Sequence, residues 1–238
     1  PLIDNGIIPN VAAGLSLGEY AAYLASGALL FKDTAALVRK RGKYMQEAVP
    51  LGIGTMAAVM GLEDTAVIDC CRSASRYGIV EPANFNCPGQ VVIAGEVKAV
   101  EKAVELCNEK GAKRAMLLPV SAPFHCSMLK PAGDRLGKDL EKIKLYKMNI
   151  PVVANVTAEY VTDESIIKDL LVKQVSSPVL WGKSISVMLE DGVDTFVEIG
   201  PGKVTCGFIK RINKDVCTLN VDDAESLKKT LEELKKRN

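Results

Sequence analysis

Apolar residues along the chain switch between short runs and three- and four-residue spacings, a texture that predicts strands alternating with helices. VAA at 11–13 reads as a short strand that runs into Gly14, Ser16 and Gly18, after which the spacing turns helical from about Leu17 to Leu30. Asp33 reads as the N-cap of a second helix, 33–48, because DTAALVRKRGKYMQEA has few breakers and Pro50 closes it. From Gly52 the units shorten: strand TMAAVMG, helix EDTAVIDCCRSA, strand IVEPANFN, turn CPGQ, strand VVIAGE, helix EVKAVEKAVELCNEKGA, strand KRAMLLPV. This βαββαβ order is the split βαβ arrangement of ferredoxin-like domains.

Past this insert the pattern predicts a helix over Ser127–Lys142, a strand at PVVANVT, and helices over Glu164–Val175 and Val179–Glu190. DTFVEIG and CTLNV read as strands flanking a helix entered through Gly200 and Pro201, and DDAESLKKTLEELKKRN as a finishing helix. The expectation is an α/β fold: a largely parallel sheet in a discontinuous unit, 1–51 and 120–238, carrying an inserted unit at 52–119.

Composition narrows the function classes. The 238 residues are 48% hydrophobic, ample for a core, and no apolar run reaches the roughly 20 residues of a membrane span. Thirty basic residues against 29 acidic leave no net basic footprint for nucleic acid. Seven cysteines, an odd number without C-x-x-C spacing, together with a single histidine, point to reduced thiols in a cytoplasmic protein rather than a metal site.

The chemistry-bearing residues are few. Gly14-Leu15-Ser16-Leu17-Gly18 fits G-x-S-x-G, in which a strand, a sharp turn and a helix start expose a serine hydroxyl beside free N–H groups. The same spacing also describes an ordinary serine between two glycines. A serine nucleophile needs a base, and His125 in SAPFHCS is the only imidazole; its other reading is a surface or capping histidine. Cys126 beside it points away from its neighbour. Arg41 shares a helical stripe with Leu37, Val38, Tyr44, Met45 and Ala48, where it either snorkels outward or meets an anion. NFNCPGQ (84–90) offers amides around a hairpin turn, and GPGKV (200–204) is either a plain strand-to-helix turn or a phosphate cradle.

Taken in order, GLSLGEYAAY, VRKRGKYMQEAVPLGIGTMAAV, NFNCPGQVVIAG, VSAPFHCSML, SSPVLWGKS and EIGPGKV resemble the malonyl-CoA:acyl carrier protein transacylases of fatty-acid synthesis over essentially the whole chain. The resemblance implies an α/β hydrolase-like subdomain with a ferredoxin-like insert. It implies that Ser16 accepts the acyl group, that His125 takes its proton, and that the Leu17 backbone N–H supplies half of the oxyanion hole. Arg41 then pairs with the malonyl carboxylate, Asn86 lies near the substrate, and the main-chain carbonyl of Gln174 orients His125. Malonyl-CoA is the implied donor and the phosphopantetheine thiol of acyl carrier protein the acceptor, with no permanently bound cofactor and no metal. A serine esterase or thioesterase using the same dyad, or an inactive fragment that binds carrier protein or coenzyme A, are the alternatives.

Two departures from the family pattern stand out. Leu15 occupies the position before the serine where histidine is common, an expected tuning rather than loss. Family members also begin with a strand and a GQG-type loop that gives the second oxyanion donor, and this sequence starts after it. Losing one such donor costs roughly 2.7 to 4 kcal/mol in the transition state, so weak activity is expected of this chain alone. Phe124 is compatible with a small acyl pocket, and nothing like a heptad seam predicts an oligomer, so a freestanding monomer is expected.

Overall fold

The computed structural model describes residues 1–237. Its first half contains β1 (Ala12–Ala13), α1 (Leu17–Ala25), α2 (Phe31–Glu47), β2 (Gly54–Met60), α3 (Asp64–Ala74), β3 (Val80–Cys87), β4 (Gln90–Glu96), α4 (Val97–Glu109) and β5 (Arg114–Leu117). The second half adds α5 (Lys130–Leu140), β6 (Val152–Val153), β7 (Tyr160–Val161), α6 (Ile167–Val175), α7 (Trp181–Glu190), β8 (Thr195–Ile199), α8 (Val204–Ile212), β9 (Cys217–Val221) and α9 (Ala224–Lys235). The result is a mixed α/β molecule with several sheets.

β2 to β5 form one antiparallel sheet in the order β3-β4-β2-β5. Both of its faces are covered, which is why its central strands read as continuous apolar runs. Ala57, Val59, Val91 and Ile93 pack with residues of α3 and α4, while Met56, Val92 and Ala94 pack with Ala83 and Cys126. The second face therefore carries the segment that holds His125. Gly54 permits this approach, because a Cβ there would sit 2.5 Å from Pro123 Cγ.

The single largely parallel sheet expected over 1–51 and 120–238 is instead split in two. β1 and β6 pair in parallel over two residues each, with β7 antiparallel beside β6, and β8 pairs in parallel with β9 apart from them. The pairing of β1 is short because the chain turns at Gly14; that of β6 is short because the chain turns around Asn155, through Ala158 at φ 56°. PVVANVT is thus only briefly a strand. A cluster of α1, α2, α5 and α6 side chains, among them Tyr23, Leu37, Leu136 and Leu171, packs on one side, and Trp181, Ile185 and Ile209 pack around Val153 on the other.

Helix ends also differ from the sequence reading. α1 stops at Ala25, short of Leu30, because Gly27 takes φ 88°. α2 begins at Phe31 after an extended Leu30, so Asp33 sits in the first turn rather than at the N-cap and favours the helix through its charge. Val179 lies outside α7: its N–H donates to Ala83 O and its carbonyl accepts from Phe85 N, both at 2.9 Å, fastening the edge strand β3 to the second half of the chain.

Candidate active site

The turn between β1 and α1 is built on two unusual features. A Cβ on Gly14 would lie 2.0 Å from the Gly18 carbonyl carbon, so only glycine lets β1 run this close to the helix. The strain itself falls on neither glycine but on Ser16, at φ 53° and ψ −103°. Such a conformation costs on the order of 1 to 3 kcal/mol and persists only when its surroundings impose it. Asn155 imposes it here: its Oδ1 accepts from Ser16 N at 2.7 Å and its Nδ2 donates to Gly14 O at 2.8 Å. The Leu17 N–H, at the start of α1, takes no part in these bonds.

His125 meets Ser16 from the other side. Its Nε2 lies 2.6 Å from Ser16 Oγ and its Nδ1 lies 2.8 Å from the main-chain carbonyl of Gln174. A carbonyl only accepts, so Nδ1 carries the proton and Nε2 is left to receive the serine hydroxyl. His125 is itself held at φ 60°. Burial first, then the Arg41 charge, push its pKa down to about 4, so the ring is neutral at physiological pH. Glu81 on β3 steadies the loop by accepting from both the backbone N–H and the hydroxyl of Ser127, each at 2.7 Å.

Arg41 does not snorkel. It is 5% exposed, and its Nη2 donates to Ser16 Oγ and to Gln174 Oε1, both at 2.9 Å. Among the described residues no carboxylate lies within ion-pair distance of it, and its Nε has no acceptor. A buried cation of this kind is suited to an incoming anion, since leaving it unpaired is costly.

The structure thus brings Ser16, His125, Arg41 and Gln174 together. Asn86 is buried on β3, but no hydrogen bond joins its side chain to the other four. Cys126 faces the sheet and donates to Pro123 O at 3.1 Å, and burial pushes its thiol up to about 12, which leaves it inert. CPGQ makes a hairpin turn between β3 and β4. The GPGKV turn has no vacancy for phosphate: Glu198 accepts from Thr205 N at 3.2 Å and Cys206 N at 2.8 Å, filling the N-terminus of α8 with the protein's own carboxylate. Burial opposes the Glu198 charge, but these N–H groups outweigh it and hold its pKa below the usual value.

Sequence reasoning missed Asn155, Glu19 and the side chain of Gln174. Glu19 is 0% exposed on α1, and its Oε2 accepts from Gln174 Nε2 at 2.7 Å and from Asn155 N at 3.3 Å. A glutamate inside the apolar run LGEYAAYLA was the available signal.

The model of the acyl transferase domain family matches residues 2–231. The malonyl CoA-acyl carrier protein transacylase of Bacillus subtilis is 45% identical over 236 residues, covering 99% of this chain and 74% of that protein. The crystal structure of the malonyl CoA-acyl carrier protein transacylase from Clostridium perfringens superimposes with a TM-score of 0.96 at 51% identity, over 99% of this chain and 74% of that one. A malonyl-transacylase solved in complex with its type II PKS acyl-carrier protein superimposes with a TM-score of 0.93 at 44% identity, over 95% of this chain and 73% of that one.

Proposed function

The chain belongs to the acyl transferase domain family, and from that premise we propose that it moves a malonyl group from malonyl-CoA to the phosphopantetheine thiol of an acyl carrier protein. The observation that carries the substrate is Arg41, a buried guanidinium without a carboxylate partner that already donates to Ser16 Oγ. An acyl group held at Ser16 and ending in a carboxylate would place that carboxylate against it. The names of the relatives, and the carrier protein held by one of them, support the same donor and acceptor.

The reaction proceeds in two transfers. Ser16 Oγ attacks the thioester carbon as its proton passes to His125 Nε2; the C–S bond then breaks, and the imidazolium returns the proton to the coenzyme A sulfur. The carrier-protein thiol next attacks the malonyl ester carbon, giving its proton to His125; the bond from that carbon to Ser16 Oγ then breaks, and His125 delivers the proton to Oγ. The Gln174 carbonyl stabilises the imidazolium at each stage, and the Leu17 N–H faces the developing oxyanion. The exchange between thioesters needs little driving force, so positioning is the main task. Asn86 lines the substrate space, and no resident cofactor enters the steps. Residues 52–119 are a ferredoxin-like insert in the α/β hydrolase-like unit of 1–51 and 120–238, a division that the strand order β5-β2-β4-β3 supports.

Intact mass spectrometry after mixing with malonyl-CoA tests this reading. The expected product is one malonyl adduct on the wild type, absent from Ser16→Ala and discharged by carrier-protein thiol. An adduct that persists in Ser16→Ala, or that is lost to water faster than to the thiol, overturns it, the latter in favour of a thioesterase.

A further inference from the structure

Glu19 lies three residues after Ser16 on α1, on the buried face it shares with Tyr20 and Tyr23, and none of it is exposed. Burying a carboxylate is expensive unless every lone pair finds a donor. Its Oε1 accepts from Tyr23 OH at 3.4 Å, and its Oε2 receives both Gln174 Nε2 and Asn155 N. Those two partners separately hold the reacting groups. Asn155 splints the strained Ser16 turn, while Gln174 binds His125 through its carbonyl and Arg41 through Oε1.

Resting on the malonyl-transfer reading above, we infer that Glu19 is a positioning residue: one buried oxygen joins the Gln174 amide that orients Arg41 to the backbone N–H of Asn155, whose side chain holds Ser16.

The direction of the Gln174 amide follows from this contact. Its NH2 lies between two acceptors, Ser16 O at 2.8 Å and Glu19 Oε2 at 2.7 Å, so Oε1 is the end turned to Arg41. Reversing the amide would set two NH groups against the donor-only guanidinium and leave the Glu19 oxygen facing an oxygen. The carboxylate thereby fixes the side from which Arg41 is steered. When ionised, it also places a negative charge one amide away from Arg41, partly balancing a cation that has no ion-pair partner among the described residues. Burial raises the Glu19 pKa to about 7, against the opposing effect of the Gln174 and Asn155 hydrogen bonds.

Glu19→Met removes the acceptor at similar length, and Glu19→Gln keeps an oxygen for Gln174. Transfer from malonyl-CoA and from acetyl-CoA is measured for each, together with melting temperature and the Gln174 side-chain amide resonances, assigned by their loss in Gln174→Leu. Loss of a hydrogen bond to a charged group predicts that Glu19→Met loses malonyl transfer by roughly tenfold to a hundredfold. The acetyl reaction loses less, Glu19→Gln recovers part of the malonyl rate, and the Gln174 resonances move. A folded Glu19→Met with an unchanged malonyl-to-acetyl ratio overturns the inference. If Glu19→Met does not fold, Gln174→Met breaks the same link from its other end, and an unchanged ratio there overturns it equally. Should the wild type not transfer malonyl, the functional reading fails on its own; the Gln174 resonances then decide the positioning role, and resonances unmoved in Glu19→Met refute it.

Discussion

Arg41 and Ser16 are bonded directly, Nη2 to Oγ at 2.9 Å, although they stand 25 residues apart. The same oxygen lies 2.6 Å from His125 Nε2, so it gives its proton to the imidazole while accepting from the guanidinium. The free protein therefore holds the proposed anion-binding group on the proposed nucleophile itself.

Replacing Arg41 by lysine keeps the charge but removes the planar Nη2 that donates to both Ser16 Oγ and Gln174 Oε1, and with it the fork that would grip a carboxylate. Transfer from malonyl-CoA is expected to fall roughly tenfold to a hundredfold, the value of one or two charged hydrogen bonds. Acetyl transfer should fall less, and steady-state assays with both donors check the difference. Equal losses would refute the carboxylate role.

Asn155→Ala frees Ser16 N, which is part-buried, and Gly14 O, which is buried. Each unsatisfied group costs about 1 to 3 kcal/mol, so a loss of roughly 2 to 6 kcal/mol is expected in denaturant titration. Because the strained Ser16 conformation relaxes as well, labelling of Ser16 by a serine-directed phosphonate should slow in the fraction that remains folded. Normal labelling in a folded variant would contradict the splint.

Acidification probes two buried groups of opposite sign. His125 has a folded pKa of about 4 against an ordinary 6.5, so the unfolded chain binds more protons between these values. Its contribution is present above 6.5 and is lost as pH falls toward 4. Glu19 has a folded pKa of about 7 against 4.5, so the folded chain binds the extra proton, and its contribution is full below 4.5 and lost as pH rises through 7. Glu19→Gln abolishes only the second effect. Its stability relative to wild type should improve by on the order of 3 kcal/mol between about pH 4.5 and about pH 8. A difference that does not change with pH would exclude titration of Glu19 in the folded protein.

Cys126→Ser should retain most of the transfer activity, and alkylating reagents should inactivate the wild type slowly at neutral pH. The thiol is 1% exposed and its pKa is about 12. Rapid inactivation traced to Cys126 by peptide mapping would show that this segment opens.

The groups assigned roles in the proposed reaction were legible in the sequence because each carries an unusual local mark: a serine flanked by glycines, a solitary imidazole, an arginine among apolar neighbours. Asn155 carries no such mark, and Glu19, though conspicuous inside an apolar run, takes its meaning like Asn155 from contacts far along the chain, across 155 and 139 residues respectively. Asn155 is one polar residue ending an apolar run, and reading PVVANVT as a continuous strand hid the turn that aims it at Ser16. Asp33 failed as a cap for a local reason: Thr34 Oγ1 donates back to Leu30 O at 2.9 Å, and the helix winds from Phe31.

The loop bearing His125 packs on the four-stranded sheet through Cys126 and is gripped by Glu81, whereas Ser16 opens α1, whose tyrosines pack with α2, α5 and α6. The hydrogen bond between them spans two apolar clusters that share Phe124 and Met128. It closes only while those shared side chains keep both clusters in registration. A disturbance that shifts one cluster against the other by an ångström is expected to slow turnover before the polypeptide unravels, so turnover is a finer gauge of this molecule's integrity than its melting curve.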